Sequence, residues 1–381
     1  MLEVLAVDGN RRLPFQDFGP GRTADERTFL AKPEVPSGEP WRFRIVPGEG
    51  RPLEEELYTT RLHDLWLQDG QLFAYPPAPR VTPSRVVKIP AFSGSLPRRA
   101  LYLYLPRGYD DHPHRRYPLL FMHDGQNCFT AFTQDSYAGS WQADEVADQL
   151  ITQGLMRECI IVAVGNGGKR RITEYLPPYS TLRLEHPGKA GKRKPGAKKV
   201  RGRRRIPGHP RLITGRAHRT FAYYRDEVAP WVHERYRTLG QRDQLATCGS
   251  SMGGLFSAYI AWEHPEFARQ HAFMSPSFWA TRKADNEHLE IIERFRNQPP
   301  RDLRIWLDSG TQDSSGQGDD GMAATLEAYR ALADNGYQEG RDFRYHLADG
   351  AVHHESAWAE RLPLVFQFLF PPPVQETGGV S

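Results

Sequence analysis

The pattern of apolar and polar residues changes near residue 83. Before that point, apolar and polar residues alternate in several short stretches, among them residues 41–47. This alternation is typical of half-buried strands. Two of these stretches enclose Asp-Gly pairs, Asp8-Gly9 and Asp69-Gly70, which are typical of tight hairpin turns. Residues 1–83 therefore predict a small β-rich module that ends in a Pro-rich linker.

From residue 84 the pattern becomes an alternation of β and α signals. An antiparallel strand pair is predicted first, and short apolar runs that end in glycine or small polar residues follow it. Amphipathic stretches predict helices at residues 140–154, 221–236 and 355–370, the second of them kinked by Pro230. The strand runs lie at 117–125, 159–168, 244–251, 271–277, 303–310 and 343–350. This alternation predicts an α/β domain over residues 84–371, with a mostly parallel central sheet and helices on both faces.

Residues that can carry chemistry follow several of these strands. Ligand chemistry in a parallel sheet lies at the carboxyl ends of the strands. The residues found there are Asp124-Gly125-Gln126, Ser251, Asp308 to Asp313, and His353-His354. They run in the order Ser, Asp, His, which is the chain order of the α/β-hydrolase triad. The sequence therefore predicts a serine nucleophile with a histidine base and an acidic partner.

Ser251 is the predicted nucleophile. It is the serine of a Gly-x-Ser-x-Gly pattern that begins at Gly249 and ends at Gly253, after an apolar strand and before a helical stretch. Glycines at these positions permit a sharp turn and close helix–strand packing. The backbone N–H of Met252, directly after the nucleophile, and that of Gln126, after the first parallel strand, are the predicted oxyanion-hole donors.

Several motifs together resemble the esterase-D-like branch of the α/β hydrolases. They are LLFMHDGQNCF, GSSMGG, SPSFW, LDSGTQD and HHESAW, followed by RLPLVFQFLF. This group includes enterochelin (siderophore) esterases, feruloyl esterases, S-formylglutathione hydrolases and mycolyltransferases. The resemblance implies that Asp313, in Gly310-Thr311-Gln312-Asp313, is the acid, and that His353, five residues before Trp358, is the base. It also implies a serine-ester mechanism without a metal or an organic cofactor.

Other residues compete for these roles. Asp308 is the alternative acid, although it lies inside a strand-like run, and His354 is the alternative base. Cys128 lies near the predicted site, but a thiol nucleophile needs its own partnered base. Asp124 and Arg171 are interpreted as groups that brace loops rather than react.

The positive charge is concentrated in one segment. Residues 189–205 carry ten Lys and Arg and no acid, whereas the whole chain has a net charge of only +4. This run lies in a predicted insertion at 181–217 and has no apolar periodicity, so a solvated loop is one interpretation. The other is that it favours anionic substrates or an anionic partner, and binds nucleic acid non-specifically at low salt.

Composition limits the function classes. The sequence contains neither a signal-peptide pattern nor an apolar run of membrane-spanning length, and its three cysteines lack metal-ligand spacing. These features predict a cytoplasmic protein with reduced thiols and a disordered tail at 372–381. The predicted function is hydrolysis of small carboxylic esters. The alternatives are an acyltransferase with the same triad, and a non-catalytic polyanion-binding protein on the same fold.

Overall fold

The computed structural model describes residues 82–184, 211–283, 288–315 and 318–372, together with eight strands before residue 82. The contacts between Cα atoms divide the chain into two units, Met1–Thr82 and Pro83–Ser381. The basic run at 189–205 and all but the first residue of the predicted tail lie outside the described residues.

The first unit contains two antiparallel sheets of four strands each. Their strands are β1 (Leu2–Ala6), β2 (Arg12–Pro14), β3 (Gln16–Pro20), β4 (Arg27–Ala31), β5 (Trp41–Pro47), β6 (Tyr58–Thr60), β7 (Leu65–Gln68) and β8 (Gln71–Phe73). The strand orders are β2-β1-β5-β6 and β3-β4-β7-β8. β7 pairs with β8 across the predicted second hairpin, Gln68 opposite Gln71, and β1 pairs with β2 across the first. The β-rich character predicted for this unit is confirmed.

The second unit contains a sheet of eight strands and a separate two-stranded ribbon. The strands are β9 (Arg85–Phe92), β10 (Arg99–Leu105), β11 (Leu119–His123), β12 (Ile160–Val164), β13 (Thr181–Leu184), β14 (Arg211–Thr214), β15 (Leu245–Ser250), β16 (Gln270–Met274), β17 (Arg304–Gly310) and β18 (Phe343–Ala348). The large sheet has the order β9-β10-β12-β11-β15-β16-β17-β18. β10 is antiparallel to both of its neighbours, and the pairs from β12 to β18 are all parallel. The predicted mostly parallel sheet is confirmed.

Eight α-helices accompany this sheet among the described residues. They are α1 (Ala143–Thr152), α2 (Arg171–Tyr175), α3 (Ala217–Tyr223), α4 (Ala229–Arg235), α5 (Met252–Glu263), α6 (Glu290–Asn297), α7 (Met322–Asp334) and α8 (Glu355–Leu369). One π-helical turn, Tyr224–Val228, joins α3 to α4 immediately before Pro230. A proline removes one helical N–H and crowds the preceding turn, so a widened turn accommodates it.

Alternate residues of the central strands enter two separate apolar cores. Leu119 and Phe121 of β11 pack in one core with residues of α5, whereas Leu120 and Met122 pack in the other with residues of α1 and α8. Because both faces are covered, β11, β12 and β15 are buried along their whole length. Their side chains can only be apolar or hydrogen-bonded, which explains why their sequences lack the polar alternation of the first unit.

Two fully buried histidines make the fold sensitive to acid. His271 on β16 donates from Nε2 to the Ala268 carbonyl and accepts at Nδ1 from Thr247, over 3.0 and 2.8 Å. Burial lowers the pKa of His271 to about 3, and it does the same for His123 at the end of β11. In the unfolded chain a histidine titrates near 6.5, so below that pH the unfolded state binds more protons and stability falls.

We therefore expect the free energy of unfolding to fall by roughly 2 kcal/mol per buried histidine between pH 7.5 and pH 5. His271→Gln removes one of these titrations, so its stability should depend less on pH by about that amount. Denaturant unfolding at both pH values measures the difference. His112→Gln, at an exposed position, is the control and should keep the wild-type dependence. An unchanged dependence in His271→Gln would contradict the prediction.

Candidate active site

Ser251 forms a strained turn between β15 and α5. Its φ and ψ are 55° and −122°, a region that non-glycine residues rarely adopt. Backbone hydrogen bonds on both sides hold it there: the Ser251 N–H donates to the Met274 carbonyl over 3.0 Å, and the Ser277 N–H donates to the Ser251 carbonyl over 2.9 Å. Such strain persists where the surrounding structure enforces it, which is common at reactive sites. The turn presents the Ser251 side chain at the carboxyl edge of the sheet.

The glycines around this turn are required by space. A Cβ on Gly249 would lie 2.6 Å from both the Gly253 carbonyl carbon and His123 Cδ2, and one on Gly254 would lie 2.8 Å from the Met274 oxygen. These contacts are shorter than any real Cβ tolerates. The close approach of α5 to β15 and β16 therefore depends on residues without side chains, which is the physical content of the Gly-rich motif.

His353 lies between β18 and α8 and is held by Asp320. Its Nδ1 hydrogen-bonds Asp320 Oδ1, and Asp320 is fully buried while the His353 side chain is 31% exposed. The other carboxylate oxygen, Oδ2, accepts from the Gly310 N–H over 2.6 Å and from the Ser275 hydroxyl. The Trp358 ring packs against the imidazole edge to face, with centroids 4.9 Å apart. The imidazole is thus held through Nδ1 and the Trp358 ring, while part of its side chain remains exposed.

Asp320 occupies the place that the sequence analysis assigns to Asp313. Asp313 Oδ1 instead accepts from the Ser315 N–H and hydroxyl, over 2.8 and 2.7 Å. Its backbone N–H donates to the Gly318 carbonyl, so the chain turns back and brings Asp320 under Gly310 at the end of β17. The Gly-Thr-x-Asp pattern lies at the beginning of this loop. Asp320, the carboxylate that bonds His353, lies near the end of the loop. The only sequence signal for Asp320 is its place between β17 and α7.

The other competing residues have different partners. Asp308 is fully buried in β17 and accepts from Trp306 Nε1 over 2.7 Å. His354 is exposed and caps α8, its Nδ1 accepting from the Ser356 N–H. Burial raises the pKa of the Cys128 thiol well above its usual value, which makes it a poor nucleophile. All three cysteines are buried and unpaired, as predicted.

Gln126 lies in a short 3₁₀ turn, Gly125–Asn127, directly after β11. Its backbone N–H and that of Met252, the first residue of α5, belong to first turns, where an N–H has no acceptor within the helix. The Gln126 side chain is anchored, because its Oε1 accepts from the Asn166 N–H over 3.2 Å. Both predicted oxyanion donors therefore begin helical turns at the carboxyl ends of adjacent strands, β11 and β15.

Asp124 braces this turn. It adopts left-handed backbone angles, and its carboxylate accepts from Arg171 Nε and Nη2 over 2.7 and 2.8 Å and from Asn166 Nδ2 over 2.6 Å. Burial pushes the pKa of Asp124 upward, but Arg171 and Asn166 outweigh it and leave the pKa below its usual value. Asp124 is therefore a carboxylate whose oxygens are occupied by cationic and amide donors, as expected of a structural brace.

A cavity of about 540 Å³ lies at the His353–Asp320 pair. His353, Asp320 and Ser277 line it, and the Ser277 hydroxyl lies 3.2 Å from the Ser251 hydroxyl. Among the described residues Ser251 makes no hydrogen bond to His353; such bonds are often long without substrate. A second cavity of about 1010 Å³ adjoins the first and shares Trp279 and Arg282 with it.

The described residues hold no group of three or more His, Cys, Asp or Glu side chains that could bind a metal ion. Within the same ranges, no helix is both long and apolar enough to cross a membrane.

The chain is similar to known esterases. The enterobactin esterase FES from Shigella flexneri shares 14% identity over 94% of this chain and 96% of that one, with a TM-score of 0.52. A ferulic acid esterase shares 18% identity over 76% of this chain and 97% of its own, with a TM-score of 0.50. These likenesses show the α/β-hydrolase fold.

A curated relative matches a smaller part of the chain. The uncharacterized protein YbbA from Bacillus subtilis is 18% identical over 148 residues, which cover 38% of this chain and 56% of YbbA. The model of the family described as "Putative esterase" matches residues 94–195 and 209–369, which is more than half of the chain. The chain therefore belongs to this esterase family.

Proposed function

We propose that this protein is a serine carboxylic-ester hydrolase in which Ser251 is the nucleophile, His353 the base and Asp320 the acid that orients it. The observation that carries the proposal is the strained Ser251 turn, which lies beside the cavity lined by the bonded His353–Asp320 pair. A serine hydroxyl is weak until an imidazole accepts its proton, and the imidazole needs a carboxylate at its other nitrogen. Family membership supports an ester as the substrate.

The reaction follows from these positions. Ser251 Oγ attacks the ester carbonyl carbon while its proton passes to His353 Nε2, and the N–H groups of Gln126 and Met252 stabilise the oxyanion. The imidazolium then donates that proton to the departing alcohol, which leaves an acyl-Ser251 ester. A water molecule gives a proton to His353 Nε2 and attacks the acyl carbon, and the imidazolium returns that proton to Ser251 Oγ as the acid is released. Asp320 keeps the Nδ1–H in place throughout and stabilises the imidazolium.

The cavities favour an acyl or alcohol group of moderate size. The cavity at His353 has a volume within the range of small-molecule sites, and half-exposed Trp279 stands between it and the second cavity. Aromatic esters are therefore the first substrates to test, among them feruloyl esters and enterobactin-type trilactones, which the names of the similar structures suggest. Thioesters of glutathione and short-chain aryl esters complete the panel.

The proposal is tested by labelling with a fluorophosphonate, which reacts only with an activated serine. We expect a single modified peptide with the label on Ser251, and no label in Ser251→Ala. Ser250→Ala is the matched control, because Ser250 is adjacent and buried at the end of β15; it should be labelled like the wild type. A label on any other residue would refute the assignment.

A second experiment separates hydrolysis from acyl transfer. An acceptor alcohol is added to the ester assay, and the products are analysed with and without it.

A further inference from the structure

A buried polar cluster lies behind Asp320. Its other members are Ser275 after β16, Asp308 in β17 and Arg361 in α8. The Arg361 side chain is only 4% exposed, and both carboxylates are fully buried. A buried guanidinium is costly unless anions surround it, so its position calls for an explanation.

A single guanidinium nitrogen of Arg361 lies close to all three other members of the cluster. Nη2 donates to Ser275 Oγ over 2.8 Å and lies 3.3 Å from Asp308 Oδ1 and 3.8 Å from Asp320 Oδ2. The Ser275 hydroxyl also accepts from Trp358 Nε1 over 3.0 Å, so its own hydrogen is left to donate to Asp320. Ser275 has a φ of 38° and is buried, a strained conformation that this network maintains.

The cluster contains two carboxylates and one cation. Burial raises the pKa of Asp308, while Arg361, Trp306 and the Ser275 N–H act against that rise. Two buried carboxylates cannot both remain ionised without a compensating charge, because each disfavours the charge on the other. Removing the guanidinium would therefore drive a proton onto one of them. The Asp320 carboxylate would then be less able to stabilise an imidazolium at His353.

We propose that Arg361 is a positioning residue for the reaction: it supplies the positive charge that balances the carboxylates of Asp320 and Asp308 and, through Ser275, holds Asp320 against His353. This inference rests on the proposed function, since it takes His353 as the base. It assigns to α8 two contributions to the same carboxylate–imidazole pair, because Trp358, one turn before Arg361, contacts both His353 and Ser275.

The first test is the split between kcat and KM in Arg361→Met. Methionine fills much of the volume but carries no charge. We expect kcat on a short-chain aryl ester to fall on the order of 100-fold with KM changed less than threefold, because the loss is in the imidazolium-like transition state. Arg361→Lys keeps a positive charge, so its kcat should be about tenfold higher than that of Arg361→Met. Arg242→Met is the control, since Arg242 also faces two carboxylates, Asp243 and Asp302, but precedes β15 at its opposite end.

The second test restores the charge balance without the guanidinium. In Arg361→Met combined with Asp308→Asn, Asp320 is the one carboxylate left in the cluster, so no second buried negative charge opposes it. We expect the double variant to be at least tenfold more active than Arg361→Met, although two changes in a core normally destabilise more than one. A role in packing alone predicts the opposite order. The free energy of unfolding, measured for each variant, separates activity from stability.

The outcomes are distinct. If kcat in Arg361→Met stays within threefold of wild type, or if the double variant is no more active than the single one, the role of Arg361 is disproved. If Arg361→Met does not fold, Ser275→Ala takes its place: kcat should fall about tenfold with KM unchanged, and an unchanged kcat would overturn the inference. Failure of the proposed function is seen separately, as activity that survives in Ser251→Ala.

Discussion

Replacing Ser251 with alanine is expected to lower kcat on a short-chain aryl ester by about four to six orders of magnitude. Without the hydroxyl there is no acyl-enzyme, and only substrate binding and the oxyanion donors remain to act on a water molecule. Folding should be preserved, because the Ser251 backbone hydrogen bonds to Met274 and Ser277 do not use the side chain. Steady-state kinetics with thermal unfolding of the same samples measures both effects.

The strain at Ser251 provides a sharper control than alanine alone. Glycine adopts a φ of 55° without a steric penalty, so Ser251→Gly should be as inactive as Ser251→Ala but more stable by about 1 kcal/mol. A variant at this position that loses activity but gains stability indicates that the strained conformation is maintained for function. Activity of Ser251→Ala within tenfold of wild type, in a preparation free of contaminating esterase, would remove Ser251 from the mechanism.

The turn at Ser251 could be predicted from sequence because its causes are local. An apolar strand, the glycines at 249, 253 and 254, and a helical stretch all lie within about fifteen residues, and Gly249 and Gly254 are each required by a close backbone contact. The position of His353 could be predicted for a similar reason. Its spacing of five residues from Trp358 is set by the first turn of α8, where the two rings are in contact. The sheet followed from apolar runs that are buried on both faces.

The carboxylate bonded to His353 differs from the predicted one because its position depends on the path of a loop. Asp308 lies in β17, and Asp313 and Asp320 follow it; nothing in their local sequence indicates which one turns toward His353. The backbone contact between Asp313 and Gly318 reverses the chain, and the Gly310 N–H then binds Asp320 rather than Asp313. Long-range partners of this kind, here Ser275 and Arg361, are not encoded in spacing along the chain.

The largest effect expected outside Ser251 is that of Asp320→Asn, which should lower kcat by about 10⁴-fold; that magnitude is the known cost of the same change in serine proteases. The amide would present an NH₂ to His353 Nδ1, so the ring would carry its proton on Nε2 and could no longer accept the proton of Ser251. KM should change little, since Asp320 faces the imidazole rather than the substrate.

Asp313→Asn is the matched comparison, because Asp313 lines the same cavity and belongs to the same loop. Its carboxylate contacts Ser315 in the loop, so we expect kcat within about threefold of wild type and, at most, a small loss of stability. Measuring kcat and KM for both variants on one aryl ester decides between them. A loss of three orders of magnitude in Asp313→Asn, with Asp320→Asn near wild type, would mean that the loop rearranges around substrate and that Asp313 is the acid. Asp320 lies just before α7 and His353 lies after β18, and the bond between them favours Asp320 as the acid.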